Sequence, residues 1–101
     1  MSKKILVVDD EAQIVKVLKA YVEQSGFQVI PAADGKAALT IFQRENPDFM
    51  ILDLNLSGMD GLDVCREVRR QSNIPILTLT ARIEEVDKLK FKNITSFYDF
   101  G

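Results

Sequence analysis

The chain has 101 residues, 13 basic and 15 acidic side chains, a formal charge of -2 and 47% hydrophobic residues. That is material for one small domain with a thin core; it is too apolar for wholesale disorder and lacks the basic excess expected of a nucleic-acid binder. With no histidine and a single cysteine, Cys65, the chain cannot perform imidazole catalysis, build a histidine- or cysteine-rich metal site or close an internal disulfide, so any metal must rest on oxygen donors, as a hard cation such as Mg²⁺ prefers.

The first element is the run Ile5, Leu6, Val7, Val8, which does not alternate and ends at Asp9 and Asp10. An unbroken apolar run of that length suits a central parallel strand buried on both faces. The period then changes: Ile14, Leu18, Tyr21 and Val22 predict one apolar face of a helix, with Asp10 and Glu11 at its positive end and Gly26 as its stop. Phe27 to Ala32 reads as a second strand, and Pro31 assigns it to a sheet edge. Asp34-Gly35 marks a turn or helix start. A second helix follows, lined by Ala37, Ala38, Ile41 and Phe42 and ending near Asn46-Pro47. Phe49 to Leu52 is another unbroken apolar run, and it ends in Asp53. Residues 54–61 form a loop, Leu62, Cys65, Val68 and Arg69 mark a third helix, and Ile76, Leu77 and Leu79 form a fourth strand ending at Thr80. Glu84 to Leu89 is expected to be helical and Ser96 to Phe100 to form a fifth strand. Phe27, Phe42 and Phe49 are expected in the core, as is Cys65 on the third helix.

This alternation predicts an α/β layer fold, an open parallel sheet with helices on both faces. The expected organisation is a single domain over residues 1–101, regular to about 90, with an atypical tail at 91–101. No secretory leader pattern and no long apolar run is present, so the expected location is cytoplasmic, without membrane contact.

Asp9, Asp10, Asp53 and Thr80 all fall at carboxyl ends of predicted strands, where open parallel sheets place their ligand sites. Taken singly, each has an ordinary reading. Asp9-Asp10 is an acidic helix start, Asp53 a surface carboxylate and Thr80 a helix cap. Taken together, if the first and third strands are neighbours, three carboxylates meet in one pocket. Their mutual repulsion would be relieved by a divalent cation. An aspartate so placed can act as a nucleophile and carry a phosphoryl group.

The order of these pieces resembles the receiver domains of two-component response regulators over residues 1–90. The matching segments are KKILVVDDE at 3–11, DFMILDLNLSGMDGLDVCREVR at 48–69 and PILTLTAR at 75–82. The resemblance implies a flavodoxin-like fold in which Asp53 accepts a phosphoryl group from the phosphohistidine of a sensor histidine kinase. It implies Mg²⁺ held by Asp10, with Asp9, Asp53 and the backbone carbonyl of Asn55, and contacts to the phosphoryl group from Thr80 and the backbone amide of Ala81. Gly58 and Gly61 would shape the loop after Asp53, and Ser57 stands where many relatives have proline. Such a pocket would also phosphorylate itself from small donors and slowly lose the group, without being a conventional enzyme. The ILTLTAR segment is similar to receivers of transcription regulators, although no direct nucleic-acid contact by this chain is expected.

The tail, KFKNITSFYDFG, departs from the pattern. The family expects a last strand ending in Lys-Pro and then a final helix, whereas Lys88, Lys90 and Lys92 precede the expected strand and read as a solvated face. Tyr98 lies near the aromatic switch position of the family. The expectation is therefore a receiver whose last helix is missing, dimerising through the uncovered side. Two other readings stay open: a receiver-derived binding fragment with impaired switching, and a small Mg²⁺-dependent aspartyl phosphohydrolase.

Overall fold

Four apolar side chains in succession must point alternately to both sides of a strand, so the strand that carries them needs cover on both. β1 (Lys4–Val8) meets this demand: Leu6, Val7 and Val8 are fully buried, and Ile5 nearly so. The computed structural model describes residues 3–54, 56, 59–79 and a strand at 94–98. After β1 come α1 (Ala12–Gln24), β2 (Gln28–Ala32), α2 (Gly35–Glu45), β3 (Phe49–Asp53), α3 (Gly61–Arg69), β4 (Ile76–Leu79) and β5 (Ile94–Tyr98). The strand order is β2-β1-β3-β4-β5. The first four strands are parallel, with Ile5 beside Val29 on one side and beside Phe49 on the other. Pro31 lies on the edge strand β2, where a missing N–H costs least.

Alternation on the strands divides the core. Leu6, Val8, Met50, Leu52 and Ile76 pack with Ala38 and Phe42 of α2 and with Val64, Cys65 and Val68 of α3. Ile5, Val7, Val29 and Ile51 pack on the opposite face with Leu18 of α1. Helices therefore cover both faces, the flavodoxin-like arrangement expected from the sequence. Cys65 is buried, and burial pushes its thiol up to about 11, so it serves as a small apolar filler. Three large apolar residues are more exposed than their periodicity suggested. Tyr21 is 60% exposed, Phe27 39% and Leu62 37%. On α3 the buried stripe is Gly61, Val64, Cys65 and Val68, which leaves Leu62 off its edge.

The helix ends follow local chemistry. Gly26, at φ 94, takes the chain out of α1 in a conformation that a Cβ disfavours. Asp34 caps α2 by accepting from the Ala37 backbone N–H at 2.7 Å, and Asn46 ends it in the left-handed region at φ 49, just before Pro47. Asp60 caps α3 through the Leu62 N–H at 3.0 Å. The Lys4 N–H donates to Asp48 Oδ2 at 2.8 Å, tying the start of β1 to the approach to β3.

β5 differs from expectation in two ways. It begins at Ile94 rather than Ser96, and it runs antiparallel to β4, with Leu79 beside Ile94 and Ile76 beside Tyr98. An antiparallel neighbour starts at the edge where the preceding strand ends and needs no crossover to the far edge of the sheet. Tyr98 consequently lies at the amino-terminal edge of β4. The expected helix at 84–89 lies outside the described residues.

Thr78 is the misfit in the core. It is fully buried on β4, and its hydroxyl has no hydrogen-bond partner among the described residues. An unsatisfied buried hydroxyl costs roughly 1–3 kcal/mol of lost hydration. Thr78→Val keeps the shape and removes the hydroxyl, so it is expected to raise stability by about 1 kcal/mol. Urea unfolding should show a higher midpoint with an unchanged slope; an unchanged or lower midpoint would mean that the hydroxyl is solvated.

Candidate functional site

The strand order reverses between β1 and β3: the chain steps from β1 outward to β2, then returns to place β3 on the other side of β1. Open α/β sheets form a crevice at the carboxyl ends of strands at such a point. Val8 lies beside Leu52 in the register, so Asp9 and Asp53 leave the sheet at the same level. Asp10 follows directly. One oxygen from each of Asp9, Asp10 and Asp53 lies within 4.8 Å of the others. The sequence predicted this meeting only on the condition that the first and third strands are neighbours, and they are.

The three carboxylates occupy different surroundings. Asp9 is 4% exposed, Asp53 is half-buried and Asp10 is exposed. Asp9 Oδ1 accepts the Glu11 backbone N–H at 2.8 Å, and the Asp9 N–H donates to the Ala32 carbonyl at 3.1 Å. The first contact also explains the start of α1: Glu11 stands at the N-cap without a side-chain cap of its own, and the carboxylate two residues back satisfies its N–H. Burial is the main reason that the Asp9 carboxyl is pushed up to about 7. The Glu11 N–H pulls it down, and the charges of Asp53, Asp10 and Glu11 add to the rise.

Three carboxylates, one of them held at the edge of ionisation chiefly by its burial, form an oxygen-only donor set with excess negative charge. That chemistry suits a hard divalent cation, which would draw remaining ligands from water or a bound oxyanion. Thr80, Ala81 and Asn55, the other residues expected at the site, lie outside the described residues, as do Ser57 and Gly58. The register gives β4 a partial witness: Leu79 pairs with Asp53, so β4 reaches the same edge as the acidic cluster.

Two glycines near the cluster do more than the sequence reading assigned to them. A Cβ on Gly61 would stand 2.6 Å from Leu54 Cα and 2.8 Å from the Asp53 carbonyl oxygen. A Cβ on Gly35 would stand 2.9 Å from both Met59 Cβ and Val64 Cγ2. Gly26 is the only glycine with positive φ among the described residues, so Gly35 and Gly61 are there for room and not for backbone freedom. The available signal was their position at the first residue of a helix, where a capped start makes no demand for glycine.

Comparison with known proteins agrees with this geometry. The family model described as the response regulator receiver domain matches residues 5–97. The alkaline phosphatase synthesis transcriptional regulatory protein PhoP of Bacillus subtilis is 50% identical over 90 residues, which are 88% of this chain and 38% of that protein. The probable transcriptional regulator ycf27 of Cyanophora paradoxa is 47% identical over 87 residues, 86% of this chain and 36% of that protein. The chain thus spans little more than a third of the length of these curated relatives. Among solved structures, the chemotaxis response regulator CheY4 of Vibrio cholerae superposes with a TM-score of 0.77 at 35% identity, over 82% of this chain and 72% of that one. With the acidic cluster at the strand-order reversal and a family match across most of its length, the chain belongs to the response regulator receiver domain family of two-component systems.

Proposed function

We propose that this chain is a phosphoacceptor in which Asp53 takes a phosphoryl group from the phosphohistidine of a sensor histidine kinase. The carrying observation is the convergence of Asp9, Asp10 and Asp53 at one end of a rigid sheet. A carboxylate oxygen of Asp53 attacks phosphorus, the phosphorus–nitrogen bond to the donor imidazole breaks, and the leaving imidazole takes up a proton. Asp53 suits the nucleophile because it ends a strand buried on both faces, which fixes its backbone. Asp9 and Asp10, with the Asn55 carbonyl, would hold Mg²⁺ beside it. The ion would supply positive charge to the phosphoryl oxygens and bring them against the nucleophile. Thr80 and the Ala81 amide are assigned as donors to the same oxygens.

Two curated relatives are named as transcriptional regulators. Their likeness supports a parent protein that regulates transcription through a region outside this chain. No helix among the described residues is long and apolar enough to cross a membrane.

The direct test is intact mass after treatment with acetyl phosphate and Mg²⁺. A gain of about 80 Da is expected, absent in Asp53→Asn and absent after chelation. No gain in protein that demonstrably binds Mg²⁺ would overturn the phosphoacceptor reading.

One observation favours a second reading, a receiver that accepts phosphate but relays it poorly. The resemblance places a lysine just after the last strand, at the phosphate end. In the antiparallel β5 the strand finishes at Tyr98 beside Ile76, at the opposite edge. Amide hydrogen exchange with and without phosphorylation separates the readings: protection changes reaching β4 and β5 support switching, and changes confined to the acidic cluster support the impaired form.

A further inference from the structure

We infer that Gly61, braced by Gly35, is a positioning residue for the Asp53 carboxylate; this rests on the phosphoacceptor reading of Asp53. The first turn of α3 sits directly on the peptide that follows the nucleophile. At Gly61 the obstacles to a side chain are backbone atoms, Leu54 Cα at 2.6 Å and the Asp53 carbonyl oxygen at 2.8 Å, with Leu54 Cδ2 at 3.1 Å. Backbone cannot swing aside as a side-chain tip can. A methyl group at 61 must therefore move either α3 or the Asp53–Leu54 peptide. α3 is the less free to move, because Val64, Cys65 and Val68 are locked into the core.

The other end of the same loop is held in the same way. Gly35 opens α2 and meets Met59 Cβ and Val64 Cγ2, each 2.9 Å from a built Cβ. The starts of α2 and α3 are thus in contact through Gly35, and the start of α3 contacts the end of β3 through Gly61. Asp34 and Asp60, the residues before the two glycines, cap these helices and fix where each begins. The result is a chain of close contacts from the first turn of α2 to the peptide carrying the nucleophile. Reaction at Asp53 needs its oxygen in line with the incoming phosphorus and beside Asp9 and Asp10, so a shift of a few tenths of an ångström there is felt as rate.

The test compares Gly61→Ala with Gly26→Ala. Gly26→Ala places a methyl in open space, with the penalty arising from φ 94 alone, far from the acidic cluster. Both variants are destabilised, and only one touches Asp53. Phosphorylation by acetyl phosphate is followed by intact mass, and Mg²⁺ affinity by calorimetry, under conditions where circular dichroism shows both variants folded. Gly61→Ala is expected to lose at least tenfold in phosphorylation rate and several-fold in Mg²⁺ affinity, with Gly26→Ala matching the parent in both. Equal rates in Gly61→Ala and the parent would overturn the inference. So would an equal loss in Gly26→Ala, which would make the effect one of general stability. If Gly61→Ala does not fold, Gly35→Ala decides, because only side chains oppose it. A two- to fivefold slowing then supports the contact chain, and a parental rate overturns it. A parent chain that binds Mg²⁺ but never gains the phosphoryl mass would instead sink the phosphoacceptor reading itself; loss of Mg²⁺ affinity in Gly61→Ala would still report on the positioning.

Discussion

Asp9→Asn is expected to make the metal-free protein more stable at pH 8, by about 4 kcal/mol, and to remove most of its stabilisation by Mg²⁺. The argument starts from burial. Asp9 is 4% exposed and faces Asp53 and Asp10, and its carboxyl is pushed from 3.8 to about 7. In the folded, metal-free protein the proton is therefore held more tightly than in the unfolded chain. The sign follows directly: this group's contribution is fully present below about pH 4 and is lost as pH rises through about 7. Between pH 5 and 6.5 the metal-free parent should lose about 1 kcal/mol per pH unit from this group. Glu45, whose carboxyl is lowered by its hydrogen bond to Arg44, acts in the opposite sense, but its shift falls below that window. Asparagine keeps the acceptor oxygen for the Glu11 N–H and cannot ionise, so the variant's stability should be flat where the parent's slopes. Mg²⁺ stabilises the parent by binding the folded state alone, and the variant has lost a ligand and a charge. Urea unfolding across pH 5–8, with chelator and with saturating Mg²⁺, measures all of this. A variant no more stable than the parent at pH 8 would show that Asp9 is ionised at little cost.

That cost was only partly legible in the sequence. The run Ile5 to Val8 announced a strand buried on both faces, and the acids that follow it had to emerge at its end. The spacing of residues 9 and 53 gave no distance, because proximity depends on which strands are neighbours. The strand order supplied it by placing β3 against β1. Burial of Asp9, as opposed to Asp10, was also hidden. Adjacent residues leave a strand end in opposite directions, and which of them turns inward depends on how α1 begins. The Glu11 N–H, in need of an acceptor, selects Asp9.

Elsewhere the pattern failed for identifiable reasons. Leu62 and Tyr21 satisfied a helical period, yet a helix on a small sheet buries only a narrow stripe, and both lie beyond its margin. Phe27 was assigned to the core on hydrophobicity alone, but it precedes an edge strand, where one side has no neighbour. The direction of β5 could not be read at all. Strand periodicity is the same in both directions, and only the connection decides. Gly35 and Gly61 looked like loop punctuation, and their function as clearances emerged only from the backbones they separate.

Binding of Mg²⁺ is expected to expel a proton below pH 7 and to weaken about tenfold between pH 8 and pH 6. A carboxyl that titrates near 7 is about nine-tenths protonated at pH 6 and about one-tenth at pH 8. A cation needs Asp9 ionised, so each ion bound at pH 6 must displace about 0.9 proton, and at pH 8 only about 0.1. Calorimetry in two buffers of different ionisation enthalpy gives proton release directly, and the apparent Kd at each pH gives the second arm. The two must agree, because one titrating group governs both. Asp9→Asn supplies the control. Its residual Mg²⁺ binding, through Asp10 and Asp53, should be weaker at pH 8 and should lack the proton release that Asp9 contributes. Tight binding to the parent with no proton released at pH 6 would mean that Asp9 is already charged in the empty pocket. Burial would then be too weak to hold the proton on Asp9, and the metal-free pocket would already carry its charge.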